Sequence, residues 1–226
     1  MLKGKIAKIN KLTHCQKEKM YSIMTKYYAN ITEETFYSDL DKKLEVVLLC
    51  DENDVIHGFT TLAIFLYDER TQLLYSGDTI IEKECWGKNN LMPIWLNNAM
   101  SHAEKFDGKT YWLLLTKGYK TYKFLHTFFN KFYPCVDTGT PHELQKIIDK
   151  FAIEQFGSKY QNGIYVAGKD FLKEEFDDTD ETKMKNKHTT FFLEKNPNYK
   201  IGDELVCLTE LSLDNLNKLG LKILER

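Results

Sequence analysis

The sequence predicts an α/β fold: a mixed, largely antiparallel central sheet flanked by helices, with a helical insertion. Three observations predict it. The β-branched and apolar runs "EVVLLC", "VIHGFTTLAIFLY" and "QLLYSGDTII" are separated only by the turn-forming "DENDV" and "DERT", the pattern of an antiparallel meander. An amphipathic helical pattern from Asn90 then leads to the apolar run "TYWLLLT", so the chain crosses over a helix to reach a parallel neighbour. Between 137 and 187 the pattern changes to one helix followed by glycine-punctuated and charged segments.

Taken in order, "KGKIAKI" alternates and suits a short edge strand. Met20, Ile23, Met24, Tyr27 and Ile31 recur at helical spacing. Thr32 before Glu33 and Glu34 marks a new N-cap, with acids near the positive helix end, and this second helix carries Phe36, Tyr37, Leu40 and Leu44. The third strand of the meander is expected to run to Glu84, and Gly77 inside it marks a bulge or a close approach by another backbone or a ligand. Leu91, Ile94, Trp95, Ala99, Ala103 and Phe106 lie on one helix face, with Asn89 or Asn90 as cap and Pro93 in the first turn, where its missing N–H is harmless. "TYWLLLT" is a buried strand, and "YKTYKFLHTFFNKFY" is a helix with Phe124, Leu125, Phe128 and Phe132 inward. "PHELQKIIDKFAIEQF" is the insertion helix, and "EEFDDTDETKMKNK" reads as a mobile loop. "HTTFFLE" and "DELVCL" read as strands, and "SLDNLNKLGLKIL" as a terminal helix capped by Ser212. Residues 1–136 and 188–226 are therefore expected to form one domain, and 137–187 an insertion that makes a substrate-side lobe or a mobile loop.

Composition narrows the function classes. The 14 Phe and 13 Tyr in a chain of 226 residues allow a dense core without disulfides. With 31 basic and 33 acidic side chains there is no basic excess of the kind a nucleic-acid binder carries. Cys15, Cys50, Cys85, Cys135 and Cys207 form no C-x-x-C pair, which argues against a zinc cluster or a disulfide framework and fits a reducing cytoplasm. "MLKGKIAKIN" has no apolar signal core and no run reaches transmembrane length, so a cytoplasmic protein with no membrane span is expected. The histidines show no H-x-x-x-H or H-E-x-x-H spacing, so no metal is expected, and the nucleophile elbow and both familiar nucleotide motifs are missing.

Two features carry chemistry. In "ECWGKNNLMPIW" a strand gives way to a helix, and unpaired N–H groups, the helix dipole, Gly87 and Lys88 suit an anion; a solvated surface connection is the other reading. Asp78 and Glu82 stand four apart on one strand face. They suit proton acceptance from an attacking amine or recognition of a cation, and equally suit the wet row of a half-exposed sheet.

The element order resembles that of the GCN5-related N-acetyltransferase (GNAT) superfamily, whose members use an acyl-coenzyme A donor. In that family a long fourth strand runs into a pyrophosphate loop of the form Q/R-x-x-G-x-G/A. "ECWGKNN" is similar to it at Gly87, with Glu84 in place of the usual Gln or Arg and Asn89 in place of the second small residue. "HGFTTLAI" is similar to the family's third strand, and the resemblance spans about 1–136 plus the strands near 189–208. It implies that the fourth and fifth strands splay to admit the pantetheine arm of acetyl-CoA or another acyl-CoA. It implies further that backbone near Ile80, Ile81 and Glu82 pairs with the arm's amides, and that Cys85, Trp86, Gly87, Lys88, Asn89 and Asn90 receive the pyrophosphate. A tyrosine after strand five would protonate the leaving thiolate; of Tyr119, Tyr122 and Tyr133 the choice falls on Tyr122, although the family's N-x-x-A-x-x-x-Y pattern is not matched. The implied activity is direct acyl transfer to a small-molecule or peptide amine, with Asp78 or Glu82 as proton acceptor. The alternative is a non-catalytic binding or scaffold protein of the same fold with a degenerate coenzyme A loop. Acyl length, acceptor identity and a homodimeric state are left open.

Overall fold

The computed structural model describes residues 2–87, 90–167, 170–176 and 186–224. Lys88, Asn89 and most of the expected mobile loop lie outside the described residues.

Strand β1 (Lys3–Lys8) leads into helix α1 (His14–Tyr27), whose N-terminus is closed by a reciprocal Thr13–Gln16 capping box. The short β2 (Tyr28–Ala29) and helix α2 (Glu33–Leu40) follow, α2 being capped by Thr32. The meander is β3 (Glu45–Cys50), β4 (Ile56–Asp68) and β5 (Thr71–Ile81). Helix α3 (Leu91–Lys105) crosses over to β6 (Lys109–Thr116), and α4 (Tyr119–Phe128) follows it. The second part contains α5 (His142–Phe156), the short strands β7 (Tyr160–Gln161), β8 (Ile164–Tyr165) and β9 (Phe171–Leu172), α6 (Lys187–Lys195), β10 (Glu204–Glu210) and α7 (Lys218–Leu224).

The main sheet has the order β1-β3-β4-β5-β6-β10-β8-β7. Only the β5–β6 join is parallel, as the helical crossover requires; every other neighbour in that sheet is antiparallel. The fold is thus the mixed, largely antiparallel sheet flanked by helices that the sequence predicts. Strand alternation divides the core in two. On one face α3, α4, α6 and α7 cover Leu49, Leu62, Leu74, Trp112, Leu114 and Cys207. On the other, α1 and α2 cover Val46, Leu48, Phe59 and Ile80, while α5 covers Leu73, Leu113 and Val206.

Four expectations are corrected. "HTTFFLE" is helical: it forms most of α6, capped by Asn186, with Thr189 and Phe192 buried on one helical face against α4. Its Thr and Phe content favours a strand locally, and packing overrides that preference. The terminal segment is a 3-10 turn at Leu213–Asn215 and then the short α7, and Ser212 makes no side-chain cap. Helix α2 stops at Leu40, leaving Leu44 exposed. Strand β5 ends at Ile81, before the expected Glu84, because Lys83–Cys85 turns as a 3-10 segment. The strand β8 within 137–187 pairs with β10, so part of the insertion extends the main sheet.

Candidate functional site

The site is built where β5 parts from β6. Their parallel pairing runs from Thr71↔Lys109 to Ser76↔Leu114, and beyond it no described pairing joins residues 77–81 to β6, while β6 pairs with β10 on its other edge from Tyr111 through to Thr116. Beyond Ser76 the two strands form the walls of a wedge. The Glu82 N–H donates to His57 O at 2.8 Å. By antiparallel alternation, the backbone groups of Ile80 and Glu82 are therefore spent on β4, and those of Thr79 and Ile81 point into the wedge. Of the backbone positions Ile80, Ile81 and Glu82, Ile81 points away from β4, and Ile80 and Glu82 are paired to it.

A bulge coincides with the parting. Gly77 and Asp78 together oppose Thr61, between the pairs Thr60↔Thr79 and Leu62↔Ser76. A Cβ on Gly77 would lie 2.5 Å from Thr61 Oγ1 and 2.7 Å from Lys43 Cε, so glycine is needed for this close approach. The Thr61 hydroxyl is buried with no hydrogen-bond partner among the described residues. Lys43 pairs with Asp39 at 2.8 Å and lies over the Tyr75 ring at 4.7 Å. Lys117, just past β6, is salt-bridged to Asp170, reaches Glu204 at 3.7 Å and lies over the Tyr28 ring at 5.4 Å. Asp78 belongs to this group. Burial and the Asp39 charge push its pKa up, against the pull of Lys43 and Lys117. Burial likewise raises the pKa of Glu204, aided by Asp78 and Asp39 and opposed by Lys117 and Lys43.

Glu82 is held elsewhere. Its carboxylate takes His57 Nδ1 at 2.7 Å and lies 3.6 Å from Lys19 and 3.9 Å from Lys26, while His57 Nε2 is 3.4 Å from Asp51. No described hydrogen bond or ion pair joins Glu82 to Asp78. Tyr122 is fully buried under α6, against Phe132 and Phe192, and its hydroxyl donates to Pro134 O at 3.0 Å. Burial raises its pKa.

Of the loop candidates, Cys85 is buried, and Gly87 has φ +71° with open space around its missing Cβ. Asn90 is the α3 N-cap without a side-chain cap bond. Trp86 turns back across the wedge: its Nε1 donates to Ile81 O at 2.8 Å, and Lys120 Nζ lies 3.7 Å from the centre of its ring. Reading the sequence missed the partners Lys43, Lys117, Glu204 and Lys120, which come from segments with no shared local pattern. Two clefts, of about 560 and 740 Å³, lie away from the wedge. One is lined by Arg70, Asp107 and Lys109, the other by Asp149, Tyr160 and Lys195. Among the described residues, no cluster of His, Cys, Asp or Glu is arranged to hold a metal ion, and no helix is long and apolar enough to cross a membrane.

No family model matches the chain, and no curated protein matches it in sequence. Solved structures similar to it include a GNAT family N-acetyltransferase from Escherichia coli in complex with CoA, at 11% identity and TM-score 0.41, covering 55% of this chain and 68% of that one. The catalytic domain of the Tetrahymena GCN5 histone acetyltransferase in complex with coenzyme A has 13% identity and TM-score 0.42, with 65% and 84% covered. A GNAT family acetyltransferase from Staphylococcus aureus Mu50 has 12% identity and TM-score 0.45, with 62% and 90% covered.

Proposed function

We propose that the chain transfers an acyl group from an acyl-CoA to an amine of a small molecule or peptide. The observation that carries this reading is the parting of β5 from β6 after Ser76 and Leu114, which turns the backbone of Thr79 and Ile81 into a wedge between two strands. An extended ligand bearing amides pairs with such an edge as an added strand does. The pantetheine arm of coenzyme A is such a ligand, and its thioester supplies the activated acyl carbon. Beyond the strand, the open left-handed turn at Gly87 leads to the N-terminus of α3, where the helix dipole favours an anion.

The chain's own part is positioning and one proton. The Thr79 and Ile81 edge orients the arm along β5. Asp78, beside the parting and with its pKa pushed up, accepts the proton that the acceptor's ammonium gives up as its nitrogen becomes the nucleophile. Glu82 holds the end of β5 through His57 in place of acting as base. Tyr122, committed to Pro134 O, packs α4 and donates no proton to the thiolate. The observation that favours a non-catalytic protein of the same fold is the Trp86 bond to Ile81 O, which occupies a group the arm would use.

Calorimetric titration with coenzyme A, acetyl-CoA and longer acyl-CoAs tests the reading. Binding is expected, and Gly87→Val is expected to weaken it, because φ +71° is strained for a β-branched residue. No binding at millimolar ligand refutes the reading, and unchanged affinity in Gly87→Val removes the turn from the site.

A further inference from the structure

A polar seam divides the sheet face that α1, α2 and α5 cover. Strand alternation turns Asp78 to the face of Ile80, under α1 and α2, and turns Tyr75 and Glu204 to the face of Leu73 and Val206, under α5. Asp39 and Lys43 border the seam from α2, and Tyr28 and Asp170 border it from the β2–β9 ribbon. Each ammonium there is held in one way, by a carboxylate and a tyrosine ring: Lys43 by Asp39 and Tyr75, Lys117 by Asp170 and Tyr28. These two lysines are the cations that bear on Asp78 and Glu204. Among the described residues, four carboxylates therefore face two ammonium groups. The Asp78 side chain has no hydrogen bond or ion pair among them, and Glu204 has Lys117 at 3.7 Å, already salt-bridged to Asp170. The Thr61 hydroxyl, turned toward Lys43 and Gly77 on the same face, is 0% exposed and without a partner among the described residues. The seam still meets solvent, since side-chain exposure is 15% at Glu204, 28% at Asp170 and 45% at Asp39.

We propose that the acyl acceptor is an aliphatic diamine, whose reacting nitrogen meets Asp78 while Glu204 holds its second ammonium across the seam. This acceptor role rests on the acyl-CoA reading and adds to it the substrate class. A cation brought between the two carboxylates supplies the charge that Lys43 and Lys117, committed to Asp39 and Asp170, leave unmatched. Asp78 and Glu204 stand two strands apart with β6 between them, about 10 Å at the usual strand spacing, a span that suits a short extended chain with an ammonium at each end. One ammonium gives a proton to Asp78, and its nitrogen then forms the amide bond to the acyl carbon. The C–S bond breaks with its electron pair on sulfur, and the second proton lost by nitrogen leaves with the thiol. The nitrogen at Glu204 stays an ammonium throughout, so the product keeps one positive charge.

The test titrates the full chain by calorimetry with coenzyme A and then, on the coenzyme A complex, with cadaverine and with pentylamine, which has the same chain and one ammonium fewer. Cadaverine is expected to bind about tenfold more tightly, well beyond the roughly twofold that two equivalent ends supply, as one added charge-assisted hydrogen bond predicts. Glu204→Gln keeps the shape and removes the charge, and should bring the ratio of the two affinities down to that of two equivalent ends. Asp107→Asn removes the same charge from a side chain 93% exposed at the opposite end of the β5–β6 pair, and should leave the wild-type ratio in place. In thiol release from acetyl-CoA, the Glu204→Gln loss should fall on KM for cadaverine and spare kcat, because Glu204 touches the nitrogen that does not react. A wild-type ratio near two overturns the diamine site, and so does a high ratio that survives in folded Glu204→Gln. Should that variant fail to fold, the wild-type ratio decides alone. Absence of coenzyme A binding is a different failure: it refutes the acyl-CoA reading, and the acceptor role with it, whatever the amines do.

Discussion

Acidification tests the packing of α4 on α6, where His126 and His188 stack with ring centres 4.2 Å apart and planes 6° apart. Burial, with the charges of His188 and Lys123, holds the His126 pKa down to about 4 from 6.5. His188 is also held down, by burial and Lys187 against the pull of Asp137, and the Tyr119 hydroxyl lies 3.3 Å from His126 Nε2. A proton therefore binds the unfolded chain in preference. With its folded pKa depressed, His126 contributes stability that is complete above 6.5 and is lost as the pH falls from there through about 4. At 1.36 kcal/mol per pH unit the ceiling is about 3 kcal/mol, and screening of this partly exposed ring reduces it to about 1–2 kcal/mol. His126→Phe keeps an aromatic ring in the stack and removes the titration. Urea unfolding from about pH 7 to about pH 4 should show the wild type losing about 1–2 kcal/mol more than the variant. Parallel profiles for the two proteins would refute the reasoning.

Two further substitutions probe the parting of β5 and β6. Trp112 Nε1 donates to the buried Ser76 hydroxyl at 2.8 Å, so Ser76→Ala should strand an indole N–H and cost about 1–3 kcal/mol in denaturant unfolding; no loss would mean another acceptor is within reach. For Asp78 the sign is opposite to that for His126. Its folded pKa is raised, by burial first, so its relative contribution is complete below 3.8 and is lost as the pH rises through the folded value. Asp78→Asn should thus melt higher than the wild type near pH 7, with the gap closing in acid, and under the proposed function any acyl transfer should fall and lose the acid limb of its pH profile; a lower melting point at neutral pH contradicts this.

What was legible in the sequence follows from the range of the forces involved. The meander and the crossover were readable because hydrophobic period and turn residues act within a few positions, as in β3 and α3. Helix α6 was not, because Thr189 and Phe192 owe their state to contact with α4, distant in sequence. The turn after β5 was legible as far as Gly87, whose φ is positive. The charges were visible but their partners were not. Glu82 looked like one of a row with Asp78, whereas His57 across the β4–β5 hairpin and two lysines of α1 claim it. Lys43, Lys117 and Glu204 meet near Asp78 from three separate segments, and no local spacing announces a meeting of that kind.

The extra residue in β5 ties these features to one cause. Regular alternation would place Leu74 and Ile80 on the same face, yet Leu74 packs under α3 and Ile80 under α1 and α2. Gly77 and Asp78 sharing one partner, Thr61, accounts for the switch. The same step decides which backbone groups face the wedge. Without it, the outward set after Ser76 would be the even positions; with it, Thr79 and Ile81 turn outward just where β6 leaves. It also brings the backbone of β5 against Lys43, which a side chain on Gly77 would push off Asp39. A bulge both bends its own strand and increases the local twist, so the parting of β5 from β6 is a mechanical consequence of the residue that places Asp78. The candidate base, the outward carbonyl that Trp86 takes, and the opening itself are therefore not three separate inventions of the sequence but three effects of one insertion in one strand.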